Sequence, residues 1–261
     1  MIHAGVGFHR KTKVFITHMH GDHMLGLPGL IQTMSLLDRK RKLEIYGPTG
    51  IKAFVGAVRQ TVQFTLTFLI EVHEIVETGL VCEEKEYEVH ATWANHVIPG
   101  LAYAFVEKPR PGRFYPRKAK TLGVPEGPLW SRLQRGLAVE LPNGRVVKPK
   151  AVMGPSRPGR KIVYTGDTRP SKSLVKLAQN ADLLIHDATF DDELSEKAQE
   201  DGHSTAGQAA ETARKAKAKR LVLVHVSARY KESDLLLEQA RKTFSHVDVA
   251  EDFMEISIPY R

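Results

Sequence analysis

Four side chains that can bind a metal ion stand within six residues near the start of the chain. They are His18, His20, Asp22 and His23, in the stretch VFITHMHGDHMLG at residues 14–26. Imidazole nitrogens and carboxylate oxygens are the ligands that Zn²⁺ and similar divalent ions take, and four at this density suit two ions better than one. A solvated or structural histidine cluster is the alternative, but it does not account for four ligands beside a glycine. We therefore predict a dinuclear hydrolytic site.

His18 and His20 are separated by one residue, and the apolar run before them predicts a strand. Side chains two apart in a strand point to the same side, so this pair can converge on one ion. Asp22 and His23 then lie in the turn, where they are free to reach a second ion. The chain has a single cysteine, Cys82, which excludes internal disulfides and a thiolate-rich zinc site. Any metal is therefore held by nitrogen and oxygen donors.

Four further candidates stand where strands are predicted to end, the position at which α/β folds collect functional side chains. His96 follows an apolar run through residue 90, Asp167 ends the stretch IVYTGD, and His225 ends LVLVH. His203 belongs to GHST, just ahead of a predicted helix start. Each of these residues alone is more often structural. Together with the first cluster, they supply what two metal ions need.

The elements that must position these side chains alternate between strands and helices. Apolar runs predict strands over residues 14–17, 43–46, 71–76, 80–90, 101–106, 162–164, 183–185 and 221–226. Ser204 and Thr205 can cap a helix over 206–219, and Ser233 can start another through 235–244. This order of elements predicts an α/β fold.

The excess positive charge of the chain is confined to one segment. Residues 107–150 hold eleven basic and three acidic residues, whereas the remainder holds 27 of each sign. Basic residues interleaved with Phe114, Tyr115 and Trp130 suit a polyanionic backbone, because cations displace its counterions and aromatic rings can stack or pack. The alternative is a solvated loop that is basic without function. We favour a segment that binds nucleic acid.

Prolines and glycines punctuate the same region and break the α/β pattern over residues 108–158. We predict an arm over 108–150, inserted into one metal-binding domain that spans 1–261. A short helix is expected over 129–135, and Pro142, Asn143 and Gly144 predict a hairpin turn. The arm is expected to be flexible.

Composition limits the classes of protein to which the chain can belong. At 261 residues with 42% hydrophobic content, the chain can bury a substantial core. Its apolar runs are all shorter than the ~18 residues that a membrane span needs, and its start lacks the basic-then-apolar pattern of a secretion signal. We expect a cytoplasmic protein.

These residues resemble the metallo-β-lactamase superfamily and, within it, the ribonuclease Z family. The motifs that carry the resemblance are FITHMHGDH at 15–23, NH at 95–96, YTGDT at 164–168, HDATF at 186–190, GHSTAGQAAE at 202–211 and HVSARY at 225–230. The first marks the superfamily, whereas GHSTA, ATF and HxSxRY, with GVPEGP and LWSRLQRG in the arm, point to ribonuclease Z. The resemblance covers nearly the whole chain. It implies a four-layer αββα sandwich with an inserted basic arm.

The resemblance implies a zinc-dependent endoribonuclease. Such an enzyme cleaves the 3′ trailer from precursor tRNA by attack of a metal-activated water on the phosphodiester, and it leaves a 3′ hydroxyl on the tRNA. By motif position, one zinc ion would be bound by His18, His20 and His96, the other by Asp22, His23 and His225, and Asp167 would bridge the two. The cofactors would thus be two Zn²⁺ per subunit, although nitrogen and oxygen donors also admit Mn²⁺ and Fe²⁺.

The resemblance also assigns the proton transfers. Asp22 would orient the water or accept its proton, and His203 would protonate the leaving oxygen as the general acid. Asp187 would hold His203 in place. Most relatives have glutamate where this chain has Asp187, directly before ATF. We therefore expect the shorter carboxylate to reach His203 less well.

For substrate contacts, the resemblance implies phosphate binding by Thr205, Ser227 and Arg229, with helix capping or local hydrogen bonding as the alternative for the two hydroxyls. In the family the arm is an exosite that grips tRNA, in agreement with the charge count. The arm cations with this role would be Arg110, Arg113, Arg117, Lys118 and Lys120. The family also implies a homodimer in which one subunit's arm presents tRNA to the other's site, with no membrane or DNA partner.

The chain differs from the family pattern at its start. The family begins with strands that carry a glycine-rich loop and a DCGEGTQ-like element, and we expect this chain, which starts at Met1, to lack them. Two alternatives stay open: a hydrolase of small phosphodiesters or other esters with the same fold, and a truncated homologue that binds metal without turnover. A small substrate cannot contact a basic segment that lies away from the site of cleavage, which argues against the hydrolase of small substrates.

Overall fold

The computed structural model of this chain describes residue 5 and residues 7–260. Within them the strands are β1 (Thr12–Phe15), β2 (Leu43–Gly47), β3 (Ile70–Glu74), β4 (Gly79–Glu83), β5 (Tyr87–Ala94), β6 (Gly100–Glu107), β7 (Val139–Glu140), β8 (Val146–Val147), β9 (Lys161–Tyr164), β10 (Leu183–Asp187), β11 (Leu221–Val224) and β12 (Val247–Val249). The α-helices are α1 (Gly21–Met24), α2 (Gly26–Leu36), α3 (Ile51–Thr61), α4 (Pro116–Thr121), α5 (Pro128–Gln134), α6 (Lys172–Leu177), α7 (Ser195–Asp201), α8 (Ala206–Ala216) and α9 (Asp234–Arg241).

The chain divides into two units. The first comprises Met1–Glu84, Glu88–Val106 and Lys161–Ile258. The second comprises Lys85–Tyr87, Glu107–Arg160 and Pro259–Arg261. The strand and helix pattern predicted for the metal-binding domain belongs to the first unit, and the basic segment belongs to the second.

In the first unit β1, β2 and β3 form a parallel sheet with β2 in the middle. Parallel neighbours need a crossover connection, and the chain passes through α2 and then α3 between these strands. Ile31 and Met34 of α2 and Ile51 of α3 are buried in one cluster with Leu43 and Ile45 of β2. Leu43 and Ile45 are two residues apart and share one face of the strand. Both helices therefore cover the same face of the sheet.

The second sheet of the first unit has, among the described residues, the strand order β12-β11-β10-β9-β6-β5-β4. Strands β9 to β12 run parallel, and β6 joins β9 in the antiparallel direction. Helix α8 packs on this sheet through buried alanines, which are Ala206, Ala209, Ala210, Ala213 and Ala216. Their spacing follows the helical period, and alanine favours the helix itself.

The two sheets meet where β1 ends. The ring of Phe15 lies 5.3 Å from that of Tyr103 on β6, in an edge-on arrangement. The hydroxyl of Tyr103 donates a hydrogen bond to the carbonyl of Ile16 at 2.7 Å, and the amide of Leu101 donates to the carbonyl of Thr17 at 2.8 Å. Because helices also pack on each sheet, the αββα arrangement implied by the resemblance is confirmed.

Several predicted boundaries are wrong. The strands predicted to end at residues 76 and 226 end at Glu74 and Val224, and the helix predicted through 244 ends at Arg241. The run over 80–90 is a hairpin of β4 and β5 rather than one strand, because charged residues at 84–86 turn the chain. β1 ends at Phe15 instead of continuing to residue 17, and α8 ends at Ala216 because Lys217 adopts a left-handed conformation with φ 53°. Among the described residues, no helix is both long enough and apolar enough to cross a membrane.

The second unit has a hydrophobic core of its own. Its buried members are Ala119, Val124, Leu133, Val139, Leu141, Val147 and Val152. The helix predicted over 129–135 is α5, and the predicted turn at 142–144 connects the paired strands β7 and β8. The basic segment is thus a folded substructure with bounds wider than the predicted 108–150. That it moves as a flexible arm stays a prediction.

Two aromatic residues of the second unit, Phe114 and Trp130, are half-buried and pack against its core. The rings of Phe114 and Trp130 pack on the core with centroids 5.2 Å apart, and Trp130 Nε1 donates to the carbonyl of Val124 at 3.1 Å. Tyr260 contacts two guanidinium groups of this unit, those of Arg110 at 3.6 Å and Arg160 at 4.0 Å from its ring centroid. Of the two possibilities left open for Phe114 and Trp130, stacking or packing, the structure shows packing.

Candidate metal centre

The predicted ligands lie in segments that follow strands of both sheets of the first unit. His18 and His20 come after β1, His96 lies between β5 and β6, and Asp167 and His225 follow β9 and β11. The expectation that a strand would direct the first pair was wrong in detail, because β1 stops at Phe15 and the pair occupies the extended loop beyond it. The ends of these strands bring together residues that are far apart in the chain, such as His18 and His225.

The first group of candidate ligands consists of His18, His20, His96 and Asp167, whose donor atoms all lie within 4.8 Å of one another. His20 Nδ1 is 3.2 Å from Nε2 of both His18 and His96. Oδ2 of Asp167 is 3.6 Å from His18 Nε2. Three nitrogens and one carboxylate oxygen that converge in this way match the donor set of one divalent ion.

The second group consists of Asp22, His23 and His225. Oδ2 of Asp22 lies 3.1 Å from His23 Nε2 and 3.6 Å from His225 Nε2. Oδ2 of Asp167 is 3.2 Å from His23 Nε2 and 3.5 Å from His225 Nε2. One carboxylate oxygen of Asp167 therefore contacts nitrogens of both groups, which is the position that a bridging ligand would hold.

The donor atoms fit a divalent metal. Nε2 of His23 is buried and makes no hydrogen bond to any described residue, although two carboxylate oxygens lie near it. A buried nitrogen without a hydrogen-bond partner is unfavourable unless it binds a ligand.

Burial, together with the neighbouring His23, lowers the pKa of His18 to about 4. Burial opposes the charge of Asp167, but the nearby His23 and His225 lower the pKa of Asp167 to about 2. Neutral imidazole and ionised carboxylate are the forms that bind metal.

The ring nitrogens on the far side of three candidate ligands have hydrogen-bond partners of their own. His18 Nδ1 lies 3.0 Å from Oγ1 of Thr17, His96 Nδ1 lies 2.8 Å from the carbonyl oxygen of Gly202, and His225 Nδ1 lies 2.8 Å from Oγ1 of Thr189. Such contacts determine which nitrogen carries the proton and which faces the metal. Thr17, Thr189 and Gly202 were not predicted. Their one sequence signal is membership of the motifs that contain the ligands.

Gly202 approaches His96 so closely that no side chain fits. Its φ is +87°, and a Cβ atom built on it would lie 2.7 Å from Nδ1 of His96 and 3.0 Å from the amide of Val97. The glycine of GHST is therefore required for the carbonyl that orients His96. Among the candidate ligands, His225 has a φ of 62°, a left-handed conformation that a β-carbon disfavours.

His203 lies beside the second group. Its ring stacks on that of His225 with centroids 5.1 Å apart, and its Nδ1 lies 2.9 Å from Oδ2 of Asp187. The shorter carboxylate therefore reaches His203, and the expected loss of reach was wrong. Burial opposes a charged ring, but the hydrogen bond to Asp187 raises the pKa of His203 above its usual value. With Nδ1 engaged, Nε2 is the atom left to exchange a proton.

The residues expected to contact substrate phosphates have different surroundings. Thr205 is buried and acts as the cap of α8, because its hydroxyl accepts from the amide of Gln208 at 3.2 Å and donates to Asp192 Oδ1 at 2.6 Å. This is the capping alternative. Ser227 Oγ accepts from Nε of Arg229 at 3.1 Å, and the exposed Arg229 guanidinium lies 4.9 Å from the Phe190 ring.

Among the cations of the second unit, Arg113, Arg117, Lys118 and Lys120 are exposed. Arg110 differs, because its Nε and Nη2 are buried against Tyr260 and make no hydrogen bond to a described residue. The exposed four are available to a polyanion, whereas Arg110 is mostly engaged within its own unit.

A further set of possible ligands, Glu44, Glu71 and His73, already has cationic partners. Lys42 Nζ lies 2.6 Å from Glu71 Oε2, and Lys13 Nζ lies 2.9 Å from Glu44 Oε2. The lysines neutralise these carboxylates, so this set needs no metal ion.

Comparison with known proteins adds to this geometry. Residues 150–226 match the family model described as beta-lactamase superfamily domain. The chain is 48% identical to Ribonuclease Z of Methanosarcina acetivorans over all of this chain and 85% of that protein, and 47% identical to Ribonuclease Z of Methanothermobacter thermautotrophicus over 98% and 82%. The crystal structure of the short form of human tRNase Z is similar, with a TM-score of 0.68 and 31% identity over 99% of this chain and 83% of that one.

Proposed function

Since this chain belongs to the ribonuclease Z family, we propose that it is a metal-dependent endoribonuclease that removes the 3′ trailer of precursor tRNA and leaves a 3′ hydroxyl on the tRNA. The observation that carries the proposal is the pair of ligand groups sharing Oδ2 of Asp167, with His203 beside them. One arrangement thus combines metal binding with a proton donor.

We propose two Zn²⁺ as the cofactors. His18, His20 and His96 would hold the first ion, Asp22, His23 and His225 the second, and Asp167 both. When bound, such ions activate a water for attack on the phosphodiester and neutralise charge that develops on the phosphate oxygens. The carboxylate of Asp22 is 66% exposed and lies at the solvent side of the second group. This exposure supports the role that we propose for Asp22, which is to orient the water or to accept its proton.

The leaving group in this reaction is the 3′ oxygen of the tRNA, which needs a proton as the bond to phosphorus breaks. We assign His203 as the donor. Its Nδ1 is occupied by Asp187, so the proton leaves from Nε2, and the hydrogen bond to Asp187, which raises the pKa of His203, favours the protonated ring. Asp187 is fully buried, and we assign it a positioning role. It holds the ring and stabilises its charge.

We propose that the second unit binds the tRNA. Its exposed cations Arg113, Arg117, Lys118 and Lys120 suit a phosphate backbone without regard to sequence. Ser227 and Arg229 lie near His225 in the chain and would contact phosphates closer to the cleaved bond. We further propose a cytoplasmic homodimer in which the second unit of one subunit presents tRNA to the metal centre of the other.

The test is cleavage of a 3′-extended precursor tRNA by the purified 261-residue chain, with and without a chelator and with Zn²⁺ or Mn²⁺ restored. The expected product is a tRNA with a 3′ hydroxyl at the end of its acceptor stem, whose formation stops on chelation. A chain that hydrolyses a small phosphodiester but leaves precursor tRNA intact would contradict the proposed substrate. An identical cut in the presence of chelator would contradict the role of metal.

A further inference from the structure

The hydroxyl of Thr189 lies at the junction of three functional groups. Its Oγ1 is 2.7 Å from Asp187 Oδ1, 2.8 Å from His225 Nδ1 and 3.1 Å from His203 Nδ1. Thr189 is 7% exposed, so water does not compete freely for these contacts. One buried oxygen therefore touches the general acid, the carboxylate that holds it, and a ligand of the second metal.

The direction of each hydrogen bond follows from the donors around Asp187. Its Oδ1 accepts from the amide of Thr189 at 3.0 Å, and its Oδ2 accepts from the amide of Thr168 at 3.0 Å. Both oxygens thus serve as acceptors. The single proton of the Thr189 hydroxyl therefore points to Oδ1, which leaves Oγ1 only lone pairs to offer to the histidines.

Because Oγ1 can only accept, His225 must carry its proton on Nδ1. The unprotonated nitrogen of that ring is then Nε2, the atom that lies 3.6 Å from Asp22 Oδ2 and 3.5 Å from Asp167 Oδ2. This is the tautomer in which Nε2 can bind a metal ion. The hydrogen bond from His225 Nδ1 to Thr189 Oγ1 is sufficient to select this tautomer.

We propose that Thr189 is a positioning residue that sets the metal-binding tautomer of His225 and links this ligand to the Asp187–His203 pair. The inference rests on the proposed two-metal site. It predicts that one hydroxyl supports both the affinity for the second ion and the rate of proton donation. The ligands of the first ion do not depend on it, because His18 and His96 are oriented by Thr17 and by the carbonyl of Gly202.

The test replaces the hydroxyl with a methyl group. Thr189→Val keeps the shape of the side chain but removes the donor to the buried Oδ1 of Asp187, so the apo protein should still fold but unfold at a lower temperature than wild type. We expect wild-type protein titrated with Zn²⁺ against a competing chelator to bind two ions tightly. Thr189→Val should bind one ion as tightly as wild type and the other about 10- to 100-fold more weakly. Thr189→Ser, which restores the hydroxyl, should recover most of the lost affinity.

Thr17→Val is the matched control, because it removes the hydroxyl beside His18 and should weaken one ion as well. If the two threonines act on different ions, the double variant, with Thr17→Val and Thr189→Val combined, should bind both ions more weakly than wild type. With saturating Zn²⁺, Thr189→Val should still show a kcat at least about tenfold lower with KM little changed, because Asp187 loses one of its donors.

Three results would overturn the inference: wild-type affinity for both ions in Thr189→Val, a double variant in which one ion stays tight, or Thr189→Ser no better than Thr189→Val. A wild-type chain that binds one ion would instead overturn the two-metal proposal and this inference with it. Wild-type binding of two ions that is unaffected by Thr189→Val would overturn this inference alone.

Discussion

Nδ1 of His203 lies 2.9 Å from Oδ2 of Asp187, the last residue of β10. The carboxylate is fully buried and accepts hydrogen bonds from the amides of Thr168 and Thr189. These two backbone donors fix the conformation of the Asp187 side chain. An aspartate therefore suffices here, because the backbone itself carries the carboxylate to the ring. The contact between Asp187 and His203 is direct, and neither residue is one of the proposed metal ligands.

The first prediction follows from this pair. His203→Ala should keep the wild-type metal content and lose about 10²- to 10⁴-fold in kcat, because it removes the proton donor and none of the proposed ligands, although it also removes the ring that stacks on His225. Metal analysis and single-turnover cleavage of precursor tRNA measure the two quantities separately. A His203→Ala protein that loses its metal would place His203 among the ligands instead.

Asp187→Glu tests how closely the site is fitted to the shorter carboxylate. The added methylene enters a fully buried position, where overpacking costs about 1–3 kcal/mol, and it displaces the carboxylate from the two amides that hold it. We expect a lower melting temperature and a lower kcat, measured by thermal unfolding and by cleavage. A variant as stable and active as wild type would show that this part of the site has room to adjust.

Gly202→Ala should weaken metal binding at the first ligand group. A Cβ atom there would lie 2.7 Å from His96 Nδ1, so the ring must move out of its position. Gly136→Ala is the matched control, because Gly136 has a similar φ of +84° but no atom within 4 Å of the added Cβ. Both variants should lose about 1 kcal/mol of stability from backbone strain. Metal titration should distinguish them, and equal affinities in the two would contradict the role given to Gly202.

Replacing the exposed cations Arg113, Arg117, Lys118 and Lys120 with alanine should raise KM for precursor tRNA and leave hydrolysis of a small phosphodiester unchanged. If each contacts one phosphate, the slope of log affinity against log salt should fall by about 3. Replacing four exposed cations of α3 and α6 with alanine removes the same charge and serves as the control; these are Lys52, Arg59, Lys172 and Lys176. An equal effect of the control would show that total charge, rather than this surface, attracts the RNA.

Arg39 should be important for stability rather than activity. It is fully buried, and its guanidinium donates to the carbonyls of Phe8, Arg10, Arg41 and Lys42. Arg39→Met leaves these carbonyls without their donor, so the free energy of unfolding should fall by about 3 kcal/mol or more. Arg41→Met, at a neighbouring exposed side chain, should change it by less than about 0.5 kcal/mol. Denaturant unfolding of both variants measures the difference.

The sequence by itself determined the types of the candidate ligands and most of the α/β pattern. His18, His20, Asp22 and His23 are local to one loop, and His96, Asp167 and His225 follow apolar runs, so residue type and position beside a strand were enough to select them. Residue type sets metal chemistry, and strand ends gather at one edge of a sheet, so these properties do not require coordinates.

Only the tertiary structure decided the contacts that tune these ligands. The carbonyl of Gly202 and Nδ1 of His96 come from segments 106 residues apart, and the hydroxyl of Thr189 and Nδ1 of His225 from segments 36 apart. The folded β10 backbone also determined that Asp187 reaches His203. A hydrogen bond depends on distances of a few tenths of an ångström between segments that the chain brings together only when it folds. For that reason the candidate ligands could be selected from the sequence, whereas the orientation of each could not.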